Sequence, residues 1–350
     1  MSGKSLQIAG RRIGPDEPPY VVAEMSANHR GDFQQAVKIL EAAADAGADA
    51  VKLQTYTPDA LTIDCDRPCF RIEGTIWSGR TLYDLYREAA MPRAWQPKLK
   101  RIADGLGLAL FSTPFDSGSV DFLEQMQVPA YKIASFELVD LPLLRRVAAT
   151  GKPVILSTGM ATLGEIDEAI GSLREAGGSE LALLKCTSAY PASPEEMNLR
   201  TIAHLADTFD VVAGLSDHTL EPAVPVAAVA AGASILEKHL TMSRADGGPD
   251  GRFSLEPAEF KQMVQAVRIA RAALGGVHYG PSEQETDLRR LRRSLFVVED
   301  IKAGEEFTAE NVRSIRPGDG LHPRFLEQIL GRPARADVAR GTPLHWRHVE

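Results

Sequence analysis

Short apolar runs alternate with longer amphipathic segments along most of this chain, regularly enough to be counted. Eight runs read as buried strands: YVVAEM (20–25), DAVKLQ (49–54), LALFST (108–113), AYKIAS (130–135), PVILST (153–158), LALLKC (181–186), VVAGLSD (211–217) and SILEKHL (234–240). Near-continuous hydrophobicity over so few residues marks a strand covered on both faces. The segments between them, such as DFQQAVKILEAAADAG and EIDEAIGSLREAG, place apolar residues every three or four positions and close on glycine, as capped helices do. Strand followed by helix, repeated eight times, predicts a (β/α)8 TIM barrel rather than an open doubly wound sheet.

Flanking patterns fill in the rest. A hairpin, LQIAGRRIG, precedes the first run and is expected to plug the barrel floor. The long connection 55–107 contains a helical stretch, LYDLYREA, expected to fold over the barrel mouth. After the helix 256–275 the period is lost, and the polar stretch GPSEQETDLRRLRRS leads into a tail of short strands and glycine turns. The expected division is a barrel domain over 1–280, a linker over 281–292 and a compact all-β module over 293–350.

Alternation within the strands says where side chains point. Successive residues of a barrel strand face the lumen and the helices in turn. Val51 and Leu53 suit the helix side, which sends Lys52 and Gln54 inward; Tyr131 and Ile133 likewise go outward and Lys132 inward. The same rule pairs Val22 with Glu24, Ser216 with His218 and Glu237 with His239. Polar side chains thus collect in one lumen, at the strand ends where barrel active sites form.

Composition narrows the possibilities. Net charge is −8, which argues against a nucleic-acid or anionic-membrane surface. The basic run Arg289 to Arg293 is short and reads as a solvated face or as interdomain ion pairs. No stretch approaches the roughly 18 apolar residues that span a bilayer, and the N-terminus has no signal-peptide core. Three cysteines without paired spacing read as reduced thiols, Cys65 and Cys69 lacking a second metal-binding pair and Cys186 lying in an apolar strand. A cytoplasmic protein is expected.

The lumen residues carry the chemistry. His218 and His239 close neighbouring strands, so both imidazoles can share one divalent ion with positions left for water and substrate oxygen. Nitrogen ligands alone do not choose among Mn²⁺, Mg²⁺, Co²⁺ and Zn²⁺. Lys52 and Lys132 need anions, because an unpaired buried ammonium costs several kcal/mol. Glu24 or Glu237 could supply them; so could a phosphate and a carboxylate, helped by hydroxyls at Ser112, Thr113, Ser135, Ser157 and Ser216. The helix start within STGMATLGEI offers backbone N–H groups to the same anion. A Schiff base at Lys132, as in some barrel aldolases, is a third option that the histidine pair disfavours. Glu24 is either an ion-pair partner or a general base. Asn28 and His29 either orient a polar substrate or serve the fold, and turn and cap logic makes Asp217 and Asp250 structural. RADGGPDGRFSLEP reads as a lid, while Trp77, Trp95 and the tyrosines of LYDLYREA suit a sugar pocket or ordinary packing.

These residues lie within strings that resemble the sialic acid synthase family: AEMSANHRGD, KLQTYTPD, YKIAS, STGMAT, KCTSAYPASPEEMNL, GLSDHT and EKHLTMSRADGGPDGRFSLEP. SANH, KLQTYTPD and the DGGPD…FSLEP loop are closest to its pseudaminic acid synthase branch. VRSIRPGDGLHP resembles the antifreeze-like (SAF) domain that ends these enzymes. The resemblance implies a TIM barrel followed by that small domain, in a domain-swapped homodimer. It implies condensation of phosphoenolpyruvate with an N-acetylated amino sugar, using a divalent metal, commonly Mn²⁺. By the same resemblance His218 and His239 are metal ligands and Glu24 the essential carboxylate. Lys52, Thr113, Lys132, Ser135, Ser157 and Ser216 match phosphoenolpyruvate contacts, and Gln54 and Tyr190 substrate-pocket positions. Arg316 matches the arginine that the partner's small domain donates. For the pseudaminic branch the acceptor is 2,4-diacetamido-2,4,6-trideoxy-altrose; N-acetylmannosamine or the legionaminic precursor is the alternative. Arg30 and Ser188 depart from asparagines common in relatives, which bears on the sugar and not on the reaction.

Overall fold

A computed structural model describes residues 5–350. The chain divides into a larger unit ending at Gly275 and a smaller one over Gly276–Glu350. The larger unit opens with the expected hairpin, β1 (Leu6–Ile8) antiparallel to β2 (Arg11–Ile13). Eight strands follow: β3 (Tyr20–Glu24), β4 (Ala50–Thr55), β5 (Ala109–Pro114), β6 (Tyr131–Ile133), β7 (Val154–Ser157), β8 (Leu181–Cys186), β9 (Val212–Asp217) and β10 (Ile235–His239). They close in the order β10-β3-β4-β5-β6-β7-β8-β9, parallel throughout. All eight predicted runs are barrel strands.

Among the described residues ten α-helices accompany them: α1 (Phe33–Ala46), α2 (Pro58–Leu61), α3 (Leu82–Ala89), α4 (Gln96–Gly105), α5 (Ser117–Gln125), α6 (Leu141–Ala148), α7 (Leu163–Glu175), α8 (Thr201–Phe209), α9 (Ala223–Ala230) and α10 (Pro257–Leu274). Local chemistry sets their ends. The Asp32 side chain accepts from Gln34 N at the start of α1, and Gly47, at φ 83°, ends it in the left-handed conformation that glycine adopts without strain. The hairpin belongs to the barrel core through Leu6, Ile8 and Ile13. It is tied to the strand-entry end: Gln7 N donates to Glu180 Oε1 at 2.8 Å, and Arg11 bonds to Asp49, just before β8 and β4 respectively. That places it on the floor, opposite the mouth.

The smaller unit differs from the expected all-β module. Among the described residues it has one antiparallel ladder, β11 (Ser294–Val297) with β12 (Val312–Ile315), joined by isolated bridges such as Ile301 to Val338 and short helical turns. Its own core includes Leu295, Val297, Phe307, Ile329 and Leu344. Frequent turns leave little room for longer ladders. The stretch 281–292 is not a free linker: it carries a helical turn at Glu283–Thr286, and Gly318 N donates to Arg290 O at 2.7 Å.

Candidate active site

The parity argument holds for β4, β6, β9 and β10; on β3 it sends Glu24 inward to Lys52 and Gln54, but Glu24 does not itself line the cavity. Lys52, Gln54, Lys132, Ser157, Ser216, His218, Glu237 and His239 line one cavity of about 370 Å³ at the carboxyl ends of the strands. Their outward neighbours do the opposite work: Tyr131 Oη donates to Glu124 on α5 at 2.7 Å, and Lys238 is salt-bridged to Asp217 at 2.7 Å with both side chains 2% exposed.

An ionic cluster forms the cavity base. Lys52 Nζ lies 2.6 Å from Glu24 Oε2, an ion-pair contact without hydrogen-bond geometry, and 3.6 Å from Glu237 Oε1. Lys132 Nζ is 3.8 Å from the same Glu237 oxygen and donates to Ser157 Oγ at 2.7 Å. Ser216 Oγ donates to Glu237 at 3.3 Å, Thr113 Oγ1 accepts from Lys52 at 3.3 Å, and Gln54 Nε2 donates to Glu24 Oε1 at 3.0 Å. The lysines therefore have internal counter-ions while still facing the cavity.

Burial and charge tune these groups. Burial pushes Glu24 up to about 6 against the pull of Lys52. It works the same way on Glu237, but Lys132 and Lys52 overcome it and hold that carboxylate below its ordinary value. Burial draws Lys132 below the usual ammonium range, whereas Glu237 and Glu24 outweigh burial at Lys52 and raise it.

The two histidine rings face each other with centroids 5.2 Å apart. His218 Nδ1 lies 3.0 Å from Thr187 O, so that nitrogen donates, and Cys186 and Thr187 outweigh burial to hold the ring above its ordinary value. His239 Nδ1 is buried without a hydrogen-bond partner, and burial followed by repulsion from His218 holds the ring neutral. Two imidazoles opening on one cavity fit a divalent ion, which would displace the proton that Cys186 and Thr187 favour on His218. Among the described residues no group of three or more His, Cys, Asp or Glu is arranged to hold one. An ion there would take its remaining ligands from water or substrate.

Other expected residues divide. Ser135 and Tyr190 line the cavity; Thr113 backs it through Lys52 and does not line it. Gly159, at φ 48°, lets Ser135 approach, since a Cβ there would lie 2.3 Å from Ser135 Cβ. Arg316 lies just beyond β12 on the smaller unit and is exposed. Asn28 and His29 serve the fold: Asn28 Nδ2 donates to Leu240 O at 3.0 Å and Ser254 Oγ at 2.9 Å, and His29 packs edge-on to Trp95. The start of α7 is no anion site, because Thr162 and Glu165 cap it reciprocally. Trp77 and Tyr86 line the cavity, but Trp95 packs on the core and Tyr83 reaches Asp59.

Three residues were misjudged or missed. Asp250 does structural work, accepting from Ser26 Oγ and from Ala27 N at 3.2 Å, but it also lines the cavity and is raised by burial. Cys186 is buried yet faces the cavity, its Sγ 3.9 Å from His218 Nδ1. Glu137 also lines the cavity, with a buried Oε2 that has no partner, and burial raises it to about 7. Phe253 in the lid loop packs edge-on to His239 at 4.9 Å and tilted against Tyr190 at 5.0 Å between ring centroids. The lid is held by Trp77 Nε1 donating to Pro249 O at 2.8 Å. Arg30 joins it by an ion pair to Asp246 at 3.5 Å.

Comparison with known proteins agrees with this geometry. The NeuB family model matches residues 39–279 and the SAF domain model residues 292–350. A pseudaminic acid synthase of Campylobacter jejuni is 44% identical over 94% of this chain and 96% of its own length. One of Helicobacter pylori is 42% identical over 95% and 98%. A crystal structure of an N-acetylneuraminic acid synthetase from Leptospira borgpetersenii superposes with a TM-score of 0.73 at 30% identity, covering 82% of this chain and 95% of that one. The order of motifs, the closed barrel and the ring of lumen residues thus have one explanation: the chain belongs to the NeuB family, with an SAF domain at its C-terminal end.

Proposed function

We propose that this chain is a pseudaminic acid synthase, condensing phosphoenolpyruvate with 2,4-diacetamido-2,4,6-trideoxy-altrose and releasing phosphate. The observation that carries the reading is one cavity lined by two ammonium groups and, beside them, two imidazoles. Lys52 and Lys132, with the hydroxyls of Ser135, Ser157 and Ser216 and with Thr113 behind Lys52, suit a ligand bearing both a phosphate and a carboxylate. A divalent ion, Mn²⁺ before Mg²⁺ or Co²⁺, would be held by His218 and His239 and would supply polarisation of the sugar aldehyde.

C3 of phosphoenolpyruvate attacks the aldehyde carbon, forming the new C–C bond as the enol C2=C3 pair is spent, while the aldehyde oxygen takes a proton from solvent water. The electron-poor C2 that remains takes up water, and Glu24, poised near 6, accepts the proton that water loses. The C2–O bond to phosphate then breaks, leaving inorganic phosphate and a nine-carbon 2-keto acid. Gln54 holds Glu24 in place through its hydrogen bond. The lid keeps stray water from the reactive centre. A homodimer in which Arg316 of the partner subunit serves the sugar belongs to the same proposal and rests on the family resemblance.

The test is an assay with phosphoenolpyruvate and each of three sugars, read by phosphate release and product mass: the trideoxy-altrose, N-acetylmannosamine and the legionaminic precursor. Turnover is expected with the first. Turnover with N-acetylmannosamine alone would end the pseudaminic reading, and activity unchanged in EDTA would remove the metal.

A further inference from the structure

We propose that the cavity wall formed by Leu61, Ile72, Leu82, Leu85, Phe115 and Phe136 is the subsite that selects the acceptor sugar. It receives the end remote from the aldehyde, where acylamino methyl groups and a deoxygenated carbon are apolar. The inference rests on the condensation proposed above and adds which residues decide the sugar.

Three observations support it. First, α3 turns its apolar stripe toward the cavity instead of the core. Leu82, Leu85, Tyr86 and Ala89 follow the i, i+3, i+4, i+7 spacing of one helix face, and all four line the cavity. Arg87 and Glu88 lie on the opposite, exposed side. Leu85 is buried, yet it stands apart from the continuous core that packs the barrel against its helices.

Second, the aromatic end of the wall, Phe115 and Phe136, lies across the mouth from the imidazoles. The barrel order β10-β3-β4-β5-β6-β7-β8-β9 puts β5 half a turn from β9, and β6 half a turn from β10. His218 and His239 stand at the tips of β9 and β10, Phe115 follows β5 and Phe136 follows β6. With its aldehyde at the histidines, an open-chain sugar can reach this wall, which borders the Lys132 and Ser135 side of the cavity.

Third, the wall is exposed in the single chain. Phe136 is 59% exposed at the rim, beside lining residues that are only partly buried. A hydroxymethyl group set here would surrender its water without a partner, whereas a methyl group would gain contact. Differences of one apolar group in such a pocket are worth roughly 10- to 200-fold in kcat/KM.

The experiment uses the full-length enzyme and two variants, Phe136→Ser at the exposed rim and Leu82→Asn on α3, with thermal unfolding as a check of folding. KM for the trideoxy-altrose should rise about tenfold or more in each, and KM for phosphoenolpyruvate should stay within about twofold. Preference for that sugar over N-acetylmannosamine should shrink in parallel. Sugar KM values unchanged in Phe136→Ser, or both KM values rising together, would overturn the assignment. If wild-type enzyme condenses no sugar, the condensation itself falls; if it does and the variants match it, only this wall falls.

Discussion

Glu237 and Lys238 are neighbours on one strand, both buried, and they face opposite sides of the barrel wall. Lys238 meets Asp217 at 2.7 Å, and Asp217 Oδ1 accepts from Thr219 N at 2.9 Å, so each charge has a fixed partner away from the cavity. Glu237 is shared by Lys52 at 3.6 Å and Lys132 at 3.8 Å, in a cluster that lines the cavity. The outer pair is closed and serves the fold. The inner cluster is loose, charge-balanced without a ligand and able to exchange its internal anions for a substrate's. Burial alone does not separate a structural ion pair from a binding site; the side of the strand does.

Substitutions on the two sides should therefore fail in different ways. The largest effect is expected inside: Glu24→Gln should lower phosphate release by roughly 10²- to 10⁴-fold while leaving thermal unfolding close to wild type. Outside, Asp217→Ala should cost about 3–5 kcal/mol in urea unfolding by stranding the Lys238 ammonium, and a matched apolar pair at 217 and 238 should recover most of it. A loss under about 1 kcal/mol would blur the distinction.

A smaller effect sharpens the geometry. Gly159→Ala would drive a methyl group into Ser135, a clash of about 1–3 kcal/mol that should raise KM for phosphoenolpyruvate roughly five- to a hundredfold. A normal KM would mean that Ser135 is not needed where it stands. The mildest effect is the pH profile. Glu24 gains a proton as pH falls through about 6, so kcat/KM should decline below that pH, and Glu24→Gln should flatten the limb. Its stability contribution runs the other way: the raised carboxyl favours the fold below its ordinary value near 4.5 and loses that contribution as pH rises through about 6.

What the sequence revealed follows from where period exists. Strand alternation found Lys52, Lys132, Ser216, Glu237 and His239 because a two-residue repeat fixes direction once the apolar neighbours are known. Cys186 carried the same signal, being register partner to Ser216, but cysteine in an apolar run passes for core. Asp250, Glu137 and Phe253 stand at or beside single 3-10 turns, too short for a period to point a side chain, and their positions depend on contacts such as Asp250 with Ser26 across 224 residues. Leu82 and Leu85 showed a helical stripe, but sequence does not say whether such a stripe meets a core or a cavity. For Asn28 the sequence left two readings open, and only the structure shows its Nδ2 donating to Leu240 O and Ser254 Oγ far along the chain.

The most direct test of the inside–outside distinction is calorimetric titration of phosphoenolpyruvate into wild type, Lys132→Ala and Lys238→Met. Each variant removes one buried ammonium from the mouth region, with the first facing the cavity and the second the helices. Binding weakened by about 100-fold or more in Lys132→Ala and retained in folded Lys238→Met is the predicted result, in line with about 3 kcal/mol for a charged contact. Unchanged binding in Lys132→Ala would contradict the account.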